Sequence, residues 1–258
     1  MSGERVDLRL DRRAAGAVAL LTIDNRAKLN TLDRALMTEF IGKVETLESS
    51  DDLRALVLRG AGDKAFIGGA SIPEMAALDR RTAREFITLV HRTCHCLRRL
   101  PVPVIAAIDG YALGAGLEIA VSCDLRVATT RAKFGMPETK VGIPSVVEAA
   151  VIPQLIGFGR ARELLMLGEV IDAGTALRWA LVERVVEPVA LDAEVEAILT
   201  ALFAAGAQAV RSQKALMQRW ESLPVDQAIQ AGIDAFARVF ETDEPKRMLS
   251  AFVKRKRG

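Results

Sequence analysis

Short apolar runs alternate with amphipathic stretches along the first half of the chain. Four runs are rich in β-branched or other apolar residues and predict strands at residues 17–23, 53–58, 103–108 and 125–128. Between them, apolar residues recur at helical spacing over residues 32–47 and 82–100, which predicts helices. Strands that alternate with helices are typical of an α/β domain.

The pattern changes after about residue 143, where helical spacing fills almost all of the remaining chain. Residues 181–186 are the one strand candidate in this part. The predicted helices cover residues 146–157, 160–167, 173–179, 190–205, 207–220 and 226 to the end. Because no linker rich in Pro, Gly or Ser separates the two parts, we expect the helical part to pack on the α/β core or on a neighbouring subunit.

Composition indicates a globular protein with one large domain, or with one domain and a smaller appendage. Of 258 residues, 50% are hydrophobic and 26% are charged, and the net charge of +2 is too small to favour nucleic acid. The basic tail at residues 254–257 (KRKR) fits a solvated end or a contact with a phosphate-bearing ligand.

Targeting and redox signals agree with an expected cytoplasmic location and with no membrane partner. The start at Met1 has no apolar stretch typical of a signal peptide, and no apolar run approaches the roughly 18 residues of a membrane span. Cys94, Cys96 and Cys123 have no disulfide-framework spacing, which fits free thiols in a reducing compartment.

Two segments concentrate small residues between a strand-like and a helix-like stretch: residues 64–75 (KAFIGGASIPEM) and 110–121 (GYALGAGLEIAV). Backbone N–H groups at such helix starts can bind an anion or a developing oxyanion, although simple turn geometry also explains both segments. Neither segment continues as a phosphate-binding P-loop, and the second lacks the third glycine of the dinucleotide-binding fingerprint. Nucleotide binding by either route is therefore disfavoured.

The first of these segments also carries a helix-start signal. Ser71 and Glu74 have the spacing of a capping box, with Pro73 in the first turn, so a helix is predicted to begin there. The N–H group of Ala70 would then lie at the lip of that helix, where an acyl oxygen could approach it.

Two glutamates lie in otherwise apolar surroundings after small-residue turns. Glu118 is part of LEIAV at residues 117–121, and Glu138 follows FGMP at residues 134–137. A carboxylate in such a setting either has a partner or has a raised pKa, and two of them could perform acid–base chemistry at a neutral or weakly acidic carbon. The alternative is that both are salt-bridged structural residues, with Lys140 as the partner of Glu138.

Four residues with metal-ligating side chains fall within one predicted helix: His91, Cys94, His95 and Cys96. Four ligands on six residues of a single helix would not converge on one tetrahedral centre, so we expect no metal site there. No Ser or Cys nucleophile is placed with either histidine, which disfavours a triad hydrolase.

Taken in order, these segments resemble the crotonase superfamily, also called the enoyl-CoA hydratase/isomerase family. The resemblance covers nearly the whole chain and includes NRAKLN at residues 25–30, the two small-residue segments, CDLRVA at 123–128, residues 134–144 and 171–182, and AFVKRK at 251–256. It implies an α/β fold, a spiral of ββα units over residues 1–195, followed by a helical trimerisation region over residues 196–258. A homotrimer or a dimer of trimers is expected.

The resemblance also implies a chemistry. The backbone N–H groups of Ala70 and Ala115 would hold the thioester oxygen of an acyl-CoA, and Glu118 and Glu138 would act as the acid–base pair of an enoyl-CoA hydratase. One glutamate would activate water for attack at the β carbon, and Glu138 is the candidate that protonates the α carbon. The other expected substrate contacts are Lys28, Leu29, Ser71, Ile72 and Gly114. No cofactor is implied beyond the coenzyme A of the substrate, and no metal.

Three departures from the family pattern concern substrate contacts. Ser71 replaces a frequent aspartate, and Pro73 replaces a lysine that can help to hold coenzyme A. Where many hydratases have a Gly-x-Gly-Gly turn, this chain has Val146, Val147 and Glu148, which are predicted to reshape the acyl pocket. An isomerase or another reaction of the family is therefore the alternative activity, and a catalytically silent acyl-CoA- or RNA-binding scaffold is the alternative of a different class.

Overall fold

The computed structural model describes residues 5–255, which form ten strands. Every long strand predicted in the first half is confirmed to within two residues at each end, but only the second half of the run at 181–186 is a strand. The strands are β1 (Arg5–Arg13), β2 (Gly16–Asp24), β3 (Leu53–Gly60), β4 (Ala65–Ile67), β5 (Val104–Ile108), β6 (Tyr111–Leu113), β7 (Leu125–Thr129), β8 (Lys133–Gly135), β9 (Val170–Asp172) and β10 (Arg184–Val186).

The strands form two sheets, and the chain passes repeatedly from one to the other. The larger sheet has the order β1-β2-β3-β5-β7-β10, and the smaller has the order β4-β6-β8-β9. Strands from successive turns pair in parallel in both sheets, whereas the β1–β2 and β8–β9 pairs are antiparallel. Because each turn adds one strand to each sheet, and helices follow β4 and β6, the expected spiral of ββα units is confirmed.

Eleven α-helices and four short 3-10 helices complete the described chain. The α-helices are α1 (Arg34–Glu45), α2 (Ile72–Ala76), α3 (Arg80–Arg99), α4 (Ala115–Val121), α5 (Ile152–Ile156), α6 (Phe158–Leu167), α7 (Ala173–Arg178), α8 (Leu191–Ala204), α9 (Ala207–Trp220), α10 (Val225–Val239) and α11 (Glu244–Arg255). The 3-10 helices are Arg26–Lys28, Pro137–Val141, Val147–Val151 and Pro188–Ala190. The predicted helix at 146–157 is thus a 3-10 helix followed by α5, and the one from 226 onwards is two helices.

Both faces of the larger sheet are covered. On β2, Leu21 and Ile23 pack into the main core, which α1, α3 and α4 also enter, while Val18 points into a second cluster. That second cluster is closed by α8 through residues such as Val195 and Leu199. Parallel strands buried on both faces have continuous rather than alternating apolar runs, which is why these strands were readable from sequence.

The C-terminal helices leave much apolar surface exposed. Ile229, Ile233 and Phe236 on α10 are all more than half exposed.

The predicted boundary at residue 195 falls inside α8, and the division of the chain stays a prediction. Parts of the predicted basic tail and of the AFVKRK segment (Lys256 and Arg257), and the chain start at Met1, lie outside the described residues. Within residues 5–255, no helix is both long and apolar enough to cross a lipid bilayer.

Candidate active site

A mainly apolar cavity of about 220 Å³ lies where the two small-residue segments meet α3 and the loop after β8. Ala70, Ala115, Glu118 and Glu138 all reach it, so the fold brings together four residues that are far apart in the sequence. Its lining consists of Thr31, Gly68, Gly69, Ala70, Ile72, Met75, Phe86, Ile87, Val90, Leu113, Gly114, Ala115, Glu118, Pro137, Glu138, Lys140, Val141, Ile143, Pro144 and Val146.

The backbone of Ala70 is held so that its N–H group is not used by the fold. A parallel bridge joins Leu32 to Ala70, with the N–H of Leu32 donating to the carbonyl oxygen of Gly69 and the N–H of Ser71 donating to the carbonyl oxygen of Leu32. In a parallel bridge of this kind the residue in the middle points its own amide away from the partner strand. Within residues 5–255, the Ala70 N–H donates to no acceptor.

The predicted capping box at the start of α2 is wrong. The helix does begin at Ile72, with Pro73 in its first turn, but the Ser71 side chain makes no capping hydrogen bond. Glu74 instead accepts from the backbone N–H of Arg34 at 3.1 Å and pairs with its guanidinium at 2.9 Å. The Glu74 carboxylate thus binds the guanidinium of Arg34 and the N-terminus of α1 instead of capping α2.

The second free amide is that of Ala115, the first residue of α4. The first N–H groups of a helix have no acceptor within it, and in the described chain the Ala115 N–H has none elsewhere either. Gly114 has φ +52° and ψ −122°, a conformation that favours glycine. At Gly116 a Cβ atom would lie 2.1 Å from the carbonyl oxygen of Ile67, so α4 begins in close contact with β4.

Glu118 lies on the first turn of α4 and is 4% exposed. Its Oε1 accepts one hydrogen bond from the backbone N–H of Ala149, at 3.3 Å. Burial, followed by the negative charge of Glu138, raises the pKa of Glu118 from 4.5 to about 8, against the lowering effect of the Ala149 hydrogen bond. A pKa of this value favours the protonated form of Glu118 at neutral pH.

Glu138 is half-buried on the 3-10 helix Pro137–Val141. Its Oε2 accepts from the hydroxyl of Ser145 at 2.8 Å, and its Oε1 would lie 2.5 Å from a Cβ at position 114, so Gly114 makes room for it. The alternative that Lys140 pairs with Glu138 is wrong, because Lys140 pairs with Glu169 at 2.8 Å. Among residues 5–255, neither Glu118 nor Glu138 has a salt-bridge partner.

Val146, Val147 and Glu148, which replace the glycine-rich turn of the family, have side chains in three different surroundings. Val146 lines the cavity, whereas Val147 packs against the main core and Glu148 is buried outside the cavity lining. Val147 has φ +42°, which is rare for a β-branched residue and costs on the order of 1–3 kcal/mol. Only Val146 of the three predicted acyl-pocket residues therefore faces the cavity.

The remaining predicted substrate contacts differ in how they are placed relative to the cavity. Ile72 lines the cavity and is 56% exposed, while Ser71 is not part of the lining. Leu29 is exposed beside a neighbouring depression, and its carbonyl oxygen accepts from the N–H of Gly68 in the lining. Lys28 ends the 3-10 helix just before Leu29. These positions are next to the cavity, and their contacts with coenzyme A stay a prediction.

Sequence reasoning missed several residues of this site. Ser145 was not assigned to the site, although a hydroxyl seven residues after Glu138 in the same loop was a usable signal. Phe86, Ile87 and Val90 on α3 were not assigned to the site, because their helical spacing indicates only a buried helix face. His91 forms a hydrogen bond with Glu148 at 2.7 Å, and in residues 5–255 no three or more His, Cys, Asp or Glu side chains are grouped to hold a metal ion.

Comparisons with known proteins bear on the family of the chain. The family model for enoyl-CoA hydratase/isomerase matches residues 13–258. The chain is 35% identical over 242 residues to a crotonyl-CoA hydratase from Syntrophomonas wolfei, covering 93% of both, and 35% identical over 243 residues to a short-chain-enoyl-CoA hydratase from Clostridium acetobutylicum, covering 94% of this chain and 93% of that protein. A crystal structure of an enoyl-CoA hydratase from Bacillus anthracis superposes with a TM-score of 0.90 at 31% identity, covering 96% of each chain. The chain belongs to the enoyl-CoA hydratase/isomerase family, the crotonase superfamily.

Proposed function

We propose that this protein is an enoyl-CoA hydratase, which adds water across the 2,3 double bond of an enoyl-CoA thioester. The observation that carries the proposal is one apolar cavity with two pairs of groups that have no partner among residues 5–255. The first pair is the backbone N–H groups of Ala70 and Ala115, which have no acceptor, and the second is the carboxyl side chains of Glu118 and Glu138, which have no cationic partner. Binding a thioester needs the first pair of groups, and moving protons to and from carbon needs the second.

The two amides would polarise the thioester carbonyl. Two hydrogen bonds to the carbonyl oxygen draw electrons from the conjugated double bond, so the β carbon becomes electrophilic and the enolate-like transition state is stabilised. Losing one such donor costs on the order of 3–4 kcal/mol of transition-state stabilisation in comparable sites. The apolar lining strengthens both hydrogen bonds because it excludes water.

The two glutamates would share one proton and one water molecule. The ionised carboxylate takes a proton from water as the water oxygen attacks the β carbon. The protonated carboxyl gives its proton to the α carbon, so the pair ends with as many protons as it began with. The raised pKa of Glu118 favours that residue as the holder of the shared proton. If Glu138 protonates the α carbon, as the family resemblance implies, that proton passes to Glu138 before the C–H bond forms, and the shared water offers a path.

Several features of the proposed enzyme follow from the family. As the family resemblance implies, we propose an acyl-CoA as the substrate, a homotrimer or dimer of trimers as the assembly, and no cofactor beyond the coenzyme A of the substrate. A cytoplasmic location is proposed from the cysteine usage of the sequence and not from the family. Crotonyl-CoA is the first substrate to test, because curated relatives at 35% identity are a crotonyl-CoA hydratase and a short-chain-enoyl-CoA hydratase.

The experiment follows the loss of enoyl-thioester absorbance for trans-2-enoyl-CoAs of increasing chain length. We expect hydration of at least one of them, and a loss of about 10²–10⁴-fold in kcat for both Glu118→Gln and Glu138→Gln. Glu163→Gln, at an exposed position on α6, is the matched control and should keep full activity.

Two outcomes would redirect the proposal. If Glu118→Gln still moves the double bond of a 3-enoyl-CoA while Glu138→Gln does not, the protein is an isomerase that needs one carboxylate. If enoyl-CoAs bind but none is hydrated at any chain length, hydratase activity is wrong and an acyl-CoA-binding scaffold replaces it.

A further inference from the structure

A third carboxylate lies next to the glutamate pair but outside the cavity. Glu148 is 5% exposed, and its backbone neighbour Ala149 donates the hydrogen bond that Glu118 accepts. Its Oε1 lies 2.7 Å from Nδ1 of His91 on α3. Its Oε2 is buried and has no hydrogen-bond partner within residues 5–255. A buried carboxylate with one unsatisfied oxygen is expensive, so its presence beside an active site requires an explanation.

The backbone holds Glu148 in this place at a cost. Val147, immediately before it, has φ +42°, and its side chain packs against the main core while Val146 faces the cavity. Strained residues of this kind persist where the surroundings determine them, and they cluster at functional sites. The 3-10 helix Val147–Val151 therefore turns Glu148 away from the substrate and towards α3.

Among the described residues, His91 is the one side chain that forms a hydrogen bond with Glu148. On the cavity side its charge acts on Glu118, which Glu138 also faces. On α3 its charge acts on the buried thiol of Cys94 and on His95, and the rings of His91 and His95 are 5.3 Å apart. The two arginines near His95 have other partners, since Arg98 pairs with Glu221 and Arg99 with Glu48. His91, with 47% of its side chain exposed, is the group that can neutralise Glu148.

We propose that Glu148, held by His91, is a positioning residue of the hydration reaction that keeps one proton on the pair Glu118–Glu138. Removing that proton would leave three carboxylates close together in an apolar surrounding, so the charge of Glu148 opposes its loss. The reaction needs one carboxyl and one carboxylate, and Glu148 therefore extends the working range of the pair to higher pH. This inference rests on the proposed function.

The test measures kcat/KM for crotonyl-CoA against pH, because this profile reports the ionisations of the free enzyme. Glu148→Gln keeps the shape of the side chain and removes its charge. The decline of kcat/KM at high pH, the alkaline limb of the profile, should then move to lower pH by about one unit. His91→Gln keeps a hydrogen-bond donor for Glu148 and removes a group that can carry positive charge, so it should move the limb up or leave it unchanged. In the Glu148→Gln background His91→Gln should have no further effect. Glu85→Gln, on the exposed side of α3, is the control and should not move the limb.

A purely structural role would give a different result. If Glu148→Gln lowers activity equally at all pH values, or if both single variants move the limb in the same direction, the inference is wrong. A second measurement does not depend on turnover. The infrared band of the protonated Glu118 carboxyl, assigned by its absence in Glu118→Gln, is measured as a function of pH. Its midpoint should fall in Glu148→Gln. If the midpoint falls in Glu148→Gln but the protein hydrates no enoyl-CoA, the proposed function is wrong and the effect of Glu148 on the pair is kept. If the protein is an active hydratase and the midpoint does not fall, only the effect of Glu148 on the pair is wrong.

Discussion

At the scale of single residues, the site depends on placing an acid where water cannot solvate its charge. Glu118 points from the first turn of α4 into a lining of apolar side chains and has one weak donor, the N–H of Ala149 at 3.3 Å. Desolvation favours the neutral carboxyl, and the negative charge of Glu138 acts in the same direction. Since burial of this group is nearly complete, its protonation is tied to the stability of the fold.

Glu118 should make the protein less stable as the pH rises. Its pKa is about 8 in the folded protein and 4.5 as the ordinary value, so folding binds a proton between these pH values. The stabilising protonation is fully present below pH about 4.5 and is lost as the pH rises through about 8, a loss of roughly 5 kcal/mol. Glu118→Gln, which is neutral at every pH, should lack this decline and be the more stable protein above pH 8.

Urea unfolding at a series of pH values measures this difference. Glu163→Gln, on the exposed side of α6, serves as the control and should follow the wild-type curve. Parallel wild-type and Glu118→Gln curves would mean that Glu118 is ionised in the folded protein at neutral pH, contrary to the burial argument.

At the scale of elements, the start of α4 combines three requirements within three residues. Gly114 adopts a backbone conformation that favours glycine, and its lack of a side chain leaves room for the Glu138 carboxyl. Ala115 presents an amide without an acceptor among the described residues, and Gly116 lets the helix approach β4 closely. A side chain at the first or the third position would move the amide, the carboxylate or the helix. The element therefore positions both an oxyanion donor and an acid–base group.

Gly114→Ala should damage both catalysis and stability. The new Cβ would lie 2.5 Å from Oε1 of Glu138, so the flexible carboxyl has to move, and a displacement of about 1 Å can cost on the order of 100-fold in kcat. The positive φ adds a loss of roughly 1–3 kcal/mol in stability. Kinetics with crotonyl-CoA and urea unfolding of the same preparation separate the two effects.

Gly42→Ala provides the matched comparison on α1. A Cβ at position 42 would have nothing within 4 Å, so this exposed helical glycine should gain about 1 kcal/mol of stability with unchanged kcat. If Gly114→Ala also retained kcat, the positions of Glu138 and the Ala115 amide would tolerate more movement than the mechanism allows.

At the scale of the whole molecule, α10 has an apolar face that residues 5–255 leave exposed. Ile229, Ile233, Phe236 and Phe240 are spaced by four, three and four residues and so share one face, and they are between 42% and 68% exposed. Apolar surface of this extent on the outside of a protein marks a contact surface. The sequence-based expectation of a trimer or a dimer of trimers offers a cover for it, and this assembly stays a prediction.

Phe236→Glu should weaken that assembly. A charge at the centre of the α10 face would be buried without a partner in a subunit contact, so we expect a shift towards monomer. Sedimentation velocity or light scattering across a range of protein concentrations would detect it. Gln227→Glu adds the same charge at an exposed polar position of α10 and should leave the assembly unchanged. An unchanged mass for Phe236→Glu would exclude this face as the contact surface.

Much of the fold could be predicted from local pattern, and the failures have identifiable causes. The strand β1 was not predicted, although Val6, Leu8 and Leu10 alternate with charged residues in it, which is the period of a half-exposed strand. The short strands β4, β6, β8 and β9 were hidden because three residues are too few to show a period. The Ser71–Glu74 cap failed because a distant group, Arg34, competed for the carboxylate.

The sequence by itself determined the family and, through the resemblance to that family, the spiral fold and the four residues that meet in the cavity, because short motifs in a given order carry this resemblance. Tertiary structure alone decided how the site is charged. The pKa of Glu118, the partner of Lys140, the support of Glu138 by Ser145, and the turning of Glu148 towards His91 depend on distances between segments that are far apart in the chain. Desolvation and charge–charge interaction act through space, and no local pattern records them.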